Sequence, residues 1–583
     1  MNDIGLRNLV WRLESIESRH FKNAHLQTVT VLDTIKVCPR CIFRFLNIKE
    51  LGIYQESSSF LTHFIQFILF NEHKRIRLSS IDKKIQTASK PEEPKDSDTP
   101  SSTSTTTETT DIEMKNNENS SSSNNIDIDI QALNEEKEKI KELKFQCGDE
   151  QIKEFVCVAC VGMLQNTNDK EFLDVFLEKM GKTGFEFVDY SLALTVPTST
   201  TIREYAIWYY LNSLFPEMYV SKDPNIVELK EGIKWILGPA IQRSLKYRFK
   251  PNSDFRGKME YIHIASNKDH KFLKQISQQS NKRQRFARGK TGKVDSNNSV
   301  IELINQVSKE DFIKFGQLPP KEPTGEAYKY NLEFHHENIY IAGRYNKISR
   351  DVTQTPWKVD LPSQLASVST TVCEDLKDLF QCDSHTFSAS GREDVDVRML
   401  GSGRPFFIEI CNPRKIFIKY QQFREYEEKV NLSGKVILSN LQMITKKETN
   451  IIKESEPTKK KDYRCVVWTS KAMKPSDLDE LKKLSNIKVS QLTPVRVLHR
   501  RTLMTRDKVV EKLDYKFISP HFFVLDVLGA SAGTYIKEFV HGDLGRTLPN
   551  VGTLLGCDAD ILQLDVLNVD AVFPGKPSET PKK

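Results

Sequence analysis

The chain has 583 residues, of which 38% are hydrophobic, and this length predicts two or three domains because it exceeds one ordinary core. The net charge of +7 is modest, so charge alone does not indicate nucleic-acid binding and the clustering of basic residues matters more. Since no apolar run approaches the roughly 20 residues that a membrane helix needs, we expect no membrane association.

The N-terminal segment predicts a helix that faces a core, because its apolar residues recur at helical spacing. The segment starts acidic and is amphipathic, which distinguishes it from a signal peptide. We therefore expect a reducing compartment, in which the ten cysteines are thiols or metal ligands. The apolar positions are Leu6, Leu9, Val10, Leu13 and Ile16.

Two C-x-x-C pairs, Cys38 with Cys41 and Cys157 with Cys160, predict a structural zinc site. Each short knuckle can place two sulfurs on one side of a Zn²⁺ ion, and four thiolates leave no open position for catalysis. A redox pair is a weaker alternative, because neither pair lies in an obvious strand-to-helix setting. Buried free cysteines are the other alternative.

The segment between the two cysteine pairs includes a low-complexity stretch at 87–130, rich in Ser, Thr, Asn, Pro and Glu. Such a composition cannot bury enough apolar surface to offset its ordering entropy, so it predicts a disordered insertion. The insertion lies within one predicted accessory domain, residues 1–305. A basic stretch at 281–298 predicts a flexible loop, for which phosphate contact and ordinary solvation are both open.

In the remainder of the chain, strand-like runs alternate with helices and predict one α+β catalytic domain at 306–574. The Pro- and Lys-rich end, 575–583, is predicted to be a flexible tail. One helix is expected to begin near Pro362 and another has a similar start at Pro475. The first is followed by one apolar stripe, Leu365, Val368, Val372, Leu376 and Leu379. Residues 522–528 predict a buried strand.

An acidic stretch in this region alternates Asp, Val, Asp, Val, Arg and Met over residues 394–399. In a strand, Asp394, Asp396 and Arg398 would share the outer face, which favours a half-exposed strand with an internal ion pair. Two carboxylates so close could also indicate a metal site or a carboxylate pair, but no histidine accompanies them at ligand spacing. The alternation alone leaves a chemical role undecided.

The residues around this stretch carry a resemblance to a known family. Residues 391–414 (GREDVDVRMLGSGRPFFIEICNPR) resemble the signature of pseudouridine synthases, and most closely the eukaryotic and archaeal tRNA pseudouridine synthase ten family. Blocks at 343–357, 459–470 and 530–556 are similar to further motifs of that family. The resemblance implies a mixed-sheet synthase catalytic domain joined to an α/β THUMP-related accessory domain with structural zinc.

The resemblance also implies roles for individual residues. Asp394 corresponds to the reacting carboxylate and Lys537 to the cation that keeps it ionised. Tyr463 corresponds to the aromatic residue that stacks on the base, and its hydroxyl is a candidate for the proton transfer at C5. Arg392 is implied to hold the nucleotide out of its stack, whereas Glu393 and Asp396 would be neighbours without a catalytic role. Basic clusters at 243–250, 282–293 and 496–506 would line a path for tRNA.

The implied activity is isomerisation of uridine to pseudouridine in the tRNA T-loop, at position 55 and often at the adjacent position 54. No organic cofactor is implied, and Gly401 and Gly403 lack the third glycine of a dinucleotide fingerprint. We expect a monomer that binds tRNA in the nucleus, the cytoplasm or both. The alternatives are an RNA-binding or processing factor that acts without catalysis, and a zinc-dependent nucleic-acid binder.

Overall fold

The structure is a computed structural model that describes most of the chain between residues 23 and 575. The described ranges are 23–88, 130–143, 155–269, 271–273, 276, 302, 304–305, 307–324, 328–356, 366–454 and 459–575. The predicted N-terminal helix, residues 89–129 of the predicted insertion, the whole of the predicted 281–298 loop and the predicted helix start near Pro362 lie outside them. None of the described helices combines the length and apolar character that a membrane crossing requires.

The chain divides into two compact units. The first comprises Met1–Glu178, Leu194–Lys246 and Met259–Leu332, and the second comprises Lys179–Ala193, Tyr247–Lys258 and Glu333–Lys583. The predicted domain boundary at residue 305 stays a prediction, because most of the residues from 277 to 303 lie outside the described ranges.

Helices dominate the described residues between 23 and 245. The longest, α4, has 31 residues, and its N-terminal half buries Phe60, Phe64, Phe67 and Ile68 at the three- and four-residue spacing of one helix face. The helices are α1 (Asn23–Thr34), α2 (Pro39–Phe45), α3 (Leu51–Gln55), α4 (Ser58–Ala88), α5 (Ile130–Glu142), α6 (Met163–Asn166), α7 (Lys170–Gly181), α8 (Thr198–Leu214) and α9 (Leu229–Leu245). The later helix α10 (Lys309–Phe315) is capped by Ser308, whose hydroxyl accepts from Asp311 N.

A small four-stranded sheet has the strand order β2-β1-β3-β4. Burial alternates along β3, so one face of this strand is covered and the other meets solvent. The strands are β1 (Asp189–Thr195), β2 (Arg248–Phe249), β3 (Phe255–Ile262) and β4 (Lys329–His336).

A ten-stranded mixed sheet forms the second unit. Its order is β13-β10-β11-β12-β9-β14-β7-β5-β8, with β6 paired to β7. The β14–β7 pair is parallel and the other described pairs are antiparallel, which confirms the predicted α+β class with a mixed sheet. The strands are β5 (Ile339–Lys347), β6 (Ser384–Ala389), β7 (Arg398–Cys411), β8 (Val436–Ile444), β9 (Lys461–Thr469), β10 (Ser485–Leu492), β11 (Thr505–Ser519), β12 (Phe522–Ala530), β13 (Thr547–Leu548) and β14 (Ala559–Val569).

Helices pack on this sheet and close its core. The helices are α11 (Val368–Cys373), α12 (Leu376–Phe380), α13 (Tyr420–Asn431), α14 (Lys446–Glu454), α15 (Pro475–Lys483), α16 (Ile536–His541) and α17 (Val551–Leu555). The helix predicted at Pro475 is confirmed, and the strand predicted at 522–528 is β12, which buries Phe523, Leu525 and Val527. The apolar stripe predicted after Pro362 is divided between α11 and α12, and Ser367 caps α11.

Candidate active site

The acidic stretch forms a turn, and strand β7 begins only at Arg398. The prediction that residues 394–399 form one strand is therefore wrong for Asp394 to Val397. The buried ammonium of Lys347 explains the difference, because it donates hydrogen bonds to the carbonyl oxygens of Asp394 at 3.0 Å and Val395 at 2.7 Å. The predicted ion pair within the strand is also absent, because Arg398 pairs with Asp565 at 2.6 Å.

The buried carboxylate of Glu393, next to Asp394 in the chain, anchors this turn. Its carboxylate accepts a hydrogen bond from Arg404 Nε at 2.7 Å and one from the Tyr345 hydroxyl at 2.9 Å. The amide of Gln354 donates to the Tyr345 hydroxyl and to the Gly391 carbonyl, both at 2.8 Å. Because every member of this network is buried or half-buried and bonded, Glu393 holds the backbone beside Asp394 and does not face the cavity as a free acid.

Asp394 points toward two cations from distant parts of the chain. Its Oδ2 lies 3.1 Å from Arg496 Nη1 and 3.5 Å from Lys537 Nζ, and its side chain is 38% exposed. Lys537 makes its shorter contacts with Asp396, to Oδ1 at 3.0 Å and to Oδ2 at 2.8 Å. Lys537 is therefore shared between the two aspartates, and Arg496 is the cation within hydrogen-bond distance of Asp394.

The same lysine sets the ionisation of Asp396. Burial raises the pKa of Asp396, but the hydrogen bond and positive charge of Lys537 outweigh it and leave the pKa below its ordinary value. Asp396 is thus an ionised partner of Lys537. The residue lies in the turn and is not one of the strand positions that the alternation predicted.

Tyr463 lies on β9, two strands away from β7 through β14. Burial raises the pKa of its hydroxyl to about 12, against a smaller opposite effect of the nearby Arg404 charge. The hydroxyl therefore stays protonated at neutral pH. Tyr463 lines the same cavity as Asp394 and makes no hydrogen bond to it in the described structure.

One cavity of about 400 Å³ joins these side chains, and this volume lies in the range of small-ligand sites. Its acidic lining residues are Glu393 and Asp394, whereas its basic lining residues are Arg392, Arg404, Lys461, Arg496, Arg500, Arg501, Arg506, Lys508 and Lys537. The predicted residues Asp394, Tyr463, Lys537 and Arg392 therefore meet at one cavity. Such a balance of charge attracts a polyanion.

Of the three basic clusters predicted to line a tRNA path, the one at 496–506 contributes to this cavity. The cluster at 282–293 lies outside the described residues. The cluster at 243–250 ends α9 and forms β2, and it is not among the residues that line the cavity. Sequence reasoning noted Arg496 only as one member of a cluster, and its contact with Asp394 bridges 102 positions without a local signal.

The four cysteines of the C-x-x-C pairs converge in the first unit. Their sulfurs all lie within 4.8 Å of one another, and all four residues are buried. Cys38 Sγ lies 3.9 Å from Cys160 Sγ, close to the roughly 3.8 Å edge of a sulfur tetrahedron built with metal–sulfur bonds of about 2.3 Å. The Cys38 amide donates to Cys157 Sγ at 3.2 Å.

Charges around the cysteines also suit a metal. Burial and the neighbouring thiols raise the pKa of Cys38, and a bound cation would stabilise the thiolate that burial disfavours. Arg44 Nη1 lies 3.5 Å from Cys41 Sγ, so a buried guanidinium faces the negative charge that four thiolates carry. The cluster can therefore hold a metal ion.

Comparisons with known proteins give the family of this chain. Residues 340–570 match the family described as "Pus10, C-terminal", and residues 157–333 match "Eukaryotic Pus10, N-terminal". The chain is 37% identical over 427 residues to the Homo sapiens protein named "tRNA pseudouridine synthase Pus10". The match covers 72% of this chain and 79% of that protein. The chain belongs to the Pus10 family.

Other Pus10 relatives extend the match. A Drosophila melanogaster protein named "Putative tRNA pseudouridine synthase Pus10" is 30% identical over 72% of this chain and 84% of its own length. A Pyrococcus furiosus "tRNA pseudouridine synthase Pus10" is 36% identical over 46% of this chain and 68% of its own. A solved structure titled "Crystal Structure of a Cbf5-Nop10-Gar1 Complex" aligns at 16% identity over 39% of this chain and 48% of that chain, with a TM-score of 0.23.

The predicted family is therefore confirmed. Asp394, Arg392, Tyr463 and Lys537 all fall in the part that matches the Pus10 C-terminal region, and Cys157 and Cys160 fall in the part that matches the N-terminal region. The role of each residue stays a prediction.

Proposed function

We propose that this Pus10-family chain isomerises uridine to pseudouridine in tRNA, with Asp394 as the reacting carboxylate. The observation that carries the proposal is the cavity that Asp394 and Tyr463 both line and in which Asp394 lies beside two cations. The names of the Pus10 relatives supply the reaction and the class of substrate.

The chemistry requires one ionised acid and no consumed reactant. The N1–C1′ bond of the nucleotide breaks, a C5–C1′ bond forms, the proton leaves C5, and N1 gains one. Asp394 acts at the sugar, as nucleophile or as base, and it must stay charged in a partly enclosed cavity. Arg496 and Lys537 supply the positive charge that keeps a carboxylate ionised there.

Tyr463 contributes its ring to the reaction in this proposal. A base that has left the RNA stack needs a new stacking surface, and Tyr463 offers one inside the cavity. Since its hydroxyl stays protonated at neutral pH, it does not serve as an ionised base for the proton at C5. We assign Tyr463 to stacking.

Arg392, two residues before Asp394, is a free cation in this proposal. It is exposed, lines the cavity and, within the part of the chain that the structure describes, makes no hydrogen bond or ion pair. A guanidinium in that state can contact a phosphate of the extruded nucleotide. The substrate is proposed to be the T-loop uridine at position 55, with the adjacent position 54 as a second candidate.

The test is to map pseudouridine in an unmodified tRNA transcript after incubation with the full-length protein. We expect product with the wild type and none with Asp394→Asn, which should still bind tRNA. Asp396→Asn is the matched control, because it removes a neighbouring carboxylate that pairs with Lys537, and it should lower stability more than turnover. Turnover by Asp394→Asn would refute the assignment.

Two substrate variants locate the modified position. Transcripts with cytidine at position 54 or at position 55 each remove one target while keeping the other. Tight tRNA binding by the wild type without any pseudouridine would instead favour an RNA-binding or processing factor.

We propose that the four-cysteine cluster binds Zn²⁺ in a structural role. The support is its tetrahedral sulfur spacing and complete burial, which leave no ligand position for substrate. Metal analysis of the purified protein should give about one zinc per chain. The monomeric state and a location in the nucleus, the cytoplasm or both stay predictions.

A further inference from the structure

The contact between Arg496 and Asp394 is not one of the assignments that the family resemblance supplied. Among the described residues, Arg496 alone places a cationic nitrogen within 3.1 Å of the Asp394 carboxylate. Lys537 Nζ lies farther away, at 3.5 Å, and donates to both oxygens of Asp396. The two cations therefore divide between the two aspartates.

A buried carboxylate fixes the side chain of Arg496. Its Nε donates to Glu538 Oε1 at 2.7 Å, and the Glu538 side chain is only 1% exposed. The other oxygen, Oε2, accepts no hydrogen bond from the residues that the structure describes. Because the guanidinium is a rigid planar fork, a bond at Nε sets the direction in which Nη1 points.

The backbone of Arg496 is fixed as well. Arg496 lies in the short 3₁₀ turn Val495–Val497, which follows the end of β10 at Leu492. The Val495 amide donates to Asp543 Oδ2 at 3.2 Å, and Arg546 Nη2 donates to the Thr493 carbonyl at 2.6 Å. Both the main chain and the side chain of Arg496 are thus held by the segment 538–546.

We propose that Arg496, held by Glu538, is a positioning residue that sets the orientation of the Asp394 carboxylate. The inference rests on the proposed function and deepens it, since it assigns Asp394 a cation other than Lys537. Glu538 acts only through Arg496, because it does not line the cavity. Lys537, the next residue to Glu538 in α16, holds Asp396, so one helical turn steers both aspartates.

The first measurement separates rate from binding. We expect Arg496→Met to lower the single-turnover rate at saturating tRNA by about a hundredfold, as a displacement of a reacting group commonly does. The dissociation constant for tRNA should change much less. A phosphate contact would show the opposite pattern, with weaker binding and a smaller dependence of binding on salt.

The second measurement tests whether Glu538 acts through Arg496. Glu538→Gln should lower the same rate in the wild-type background and have no further effect in the Arg496→Met background. The double variant also guards against misfolding, because Arg496→Met alone leaves a buried charge without its partner. Arg464→Met is the matched control, since Arg464 bonds Asp526 through two nitrogens at 2.7 Å outside the cavity, and it should keep the wild-type rate.

Three results overturn the inference while the proposed function stands. In the first, the wild type is active and the folded Arg496→Met variant keeps the wild-type rate. In the second, Arg496→Met and Glu538→Gln lower the rate independently, so that their losses multiply in the double variant. In the third, Arg496→Met weakens tRNA binding and leaves the rate unchanged. A wild type that forms no pseudouridine overturns the proposed function, and this inference with it.

Discussion

The buried pair of Arg404 and Glu393 should be the most sensitive point in the second unit. Their side chains are 2% and 1% exposed, and Arg404 Nε lies 2.7 Å from Glu393 Oε2. Glu393 is the residue before Asp394 in the chain. Arg404→Met removes this charge pair and the bond from Arg404 to the Ser390 carbonyl, which is 2.7 Å long. Among the described residues, the hydrogen-bond donor that then remains to the buried Glu393 carboxylate is the Tyr345 hydroxyl.

Breaking a buried pair in this way destabilises a protein by about 3–5 kcal/mol. For a unit of this size, each 1 kcal/mol shifts the melting temperature by about 2–4 °C, so we expect a fall of about 6–20 °C. The assay is differential scanning calorimetry, with pseudouridine formation at a low temperature measured in parallel. Activity should fall too, because the turn loses its anchor.

Two further variants complete this experiment. Arg404→Met combined with Glu393→Gln removes the stranded charge and should recover much of the lost stability. Arg464→Met breaks a partly exposed pair with Asp526 and should lose no more than about 1 kcal/mol. The reasoning is refuted if Arg404→Met melts no lower than Arg464→Met, or if the double variant melts as low as Arg404→Met alone.

Three other predictions concern the metal cluster, the stacking residue and acid stability. Cys157→Ser should abolish zinc binding, whereas Cys557→Ser, at a half-buried cysteine outside the cluster, should keep about one zinc per chain by metal analysis. Tyr463→Phe should retain most of the single-turnover rate while Tyr463→Leu loses about 1–3 kcal/mol of stacking, and the rate from pH 6 to 9 should show no tyrosine limb, since the pKa of Tyr463 is about 12. Burial raises the pKa of Asp565, but Arg398 and Arg350 outweigh burial and leave the pKa below its ordinary value. The contact therefore stabilises the fold at pH values above the ordinary pKa. This stability is lost as the pH falls through the lower pKa of the folded state. The difference in melting temperature between wild type and Asp565→Asn should therefore be constant above about pH 5 and shrink below about pH 4.

Local signals in the sequence predicted features that local chemistry decides. The Lys-Pro-Ser start of α15 marked its first residue, Pro475, because proline at a first helical position is preorganised for the helix. Each C-x-x-C knuckle likewise fixes two sulfurs within four residues. The meeting of the two knuckles, Cys38 with Cys157, depends on the fold, and the sequence predicted it only through the chemistry of four-sulfur sites.

The turn from Asp394 to Val397 shows where local sequence signals fail. The Asp-Val alternation has the period of a strand, but Lys347 reaches the turn from strand β5 and bonds the carbonyl oxygens of Asp394 and Val395, which a strand would use in its ladder. A period of two residues records which side chains are apolar and does not record these tertiary hydrogen bonds. The error moved Asp394 onto a strand face, although its chemical assignment from the family motif does not depend on that placement.

The charges around Asp394 explain how an ionised acid can receive a polyanionic substrate. Asp394, Asp396 and Glu538 carry three negative charges, and Arg496, Lys537 and the buried ammonium of Lys347 supply three positive ones. This inner group is therefore close to neutral and leaves no cation free for a phosphate. Within the described residues, the guanidiniums of Arg392, Arg500 and Arg501 line the same cavity without a hydrogen bond or an ion pair. Because those three guanidiniums remain available, they can neutralise the RNA backbone while the inner cations stay committed to the aspartates, so binding and carboxylate orientation fall to different arginines.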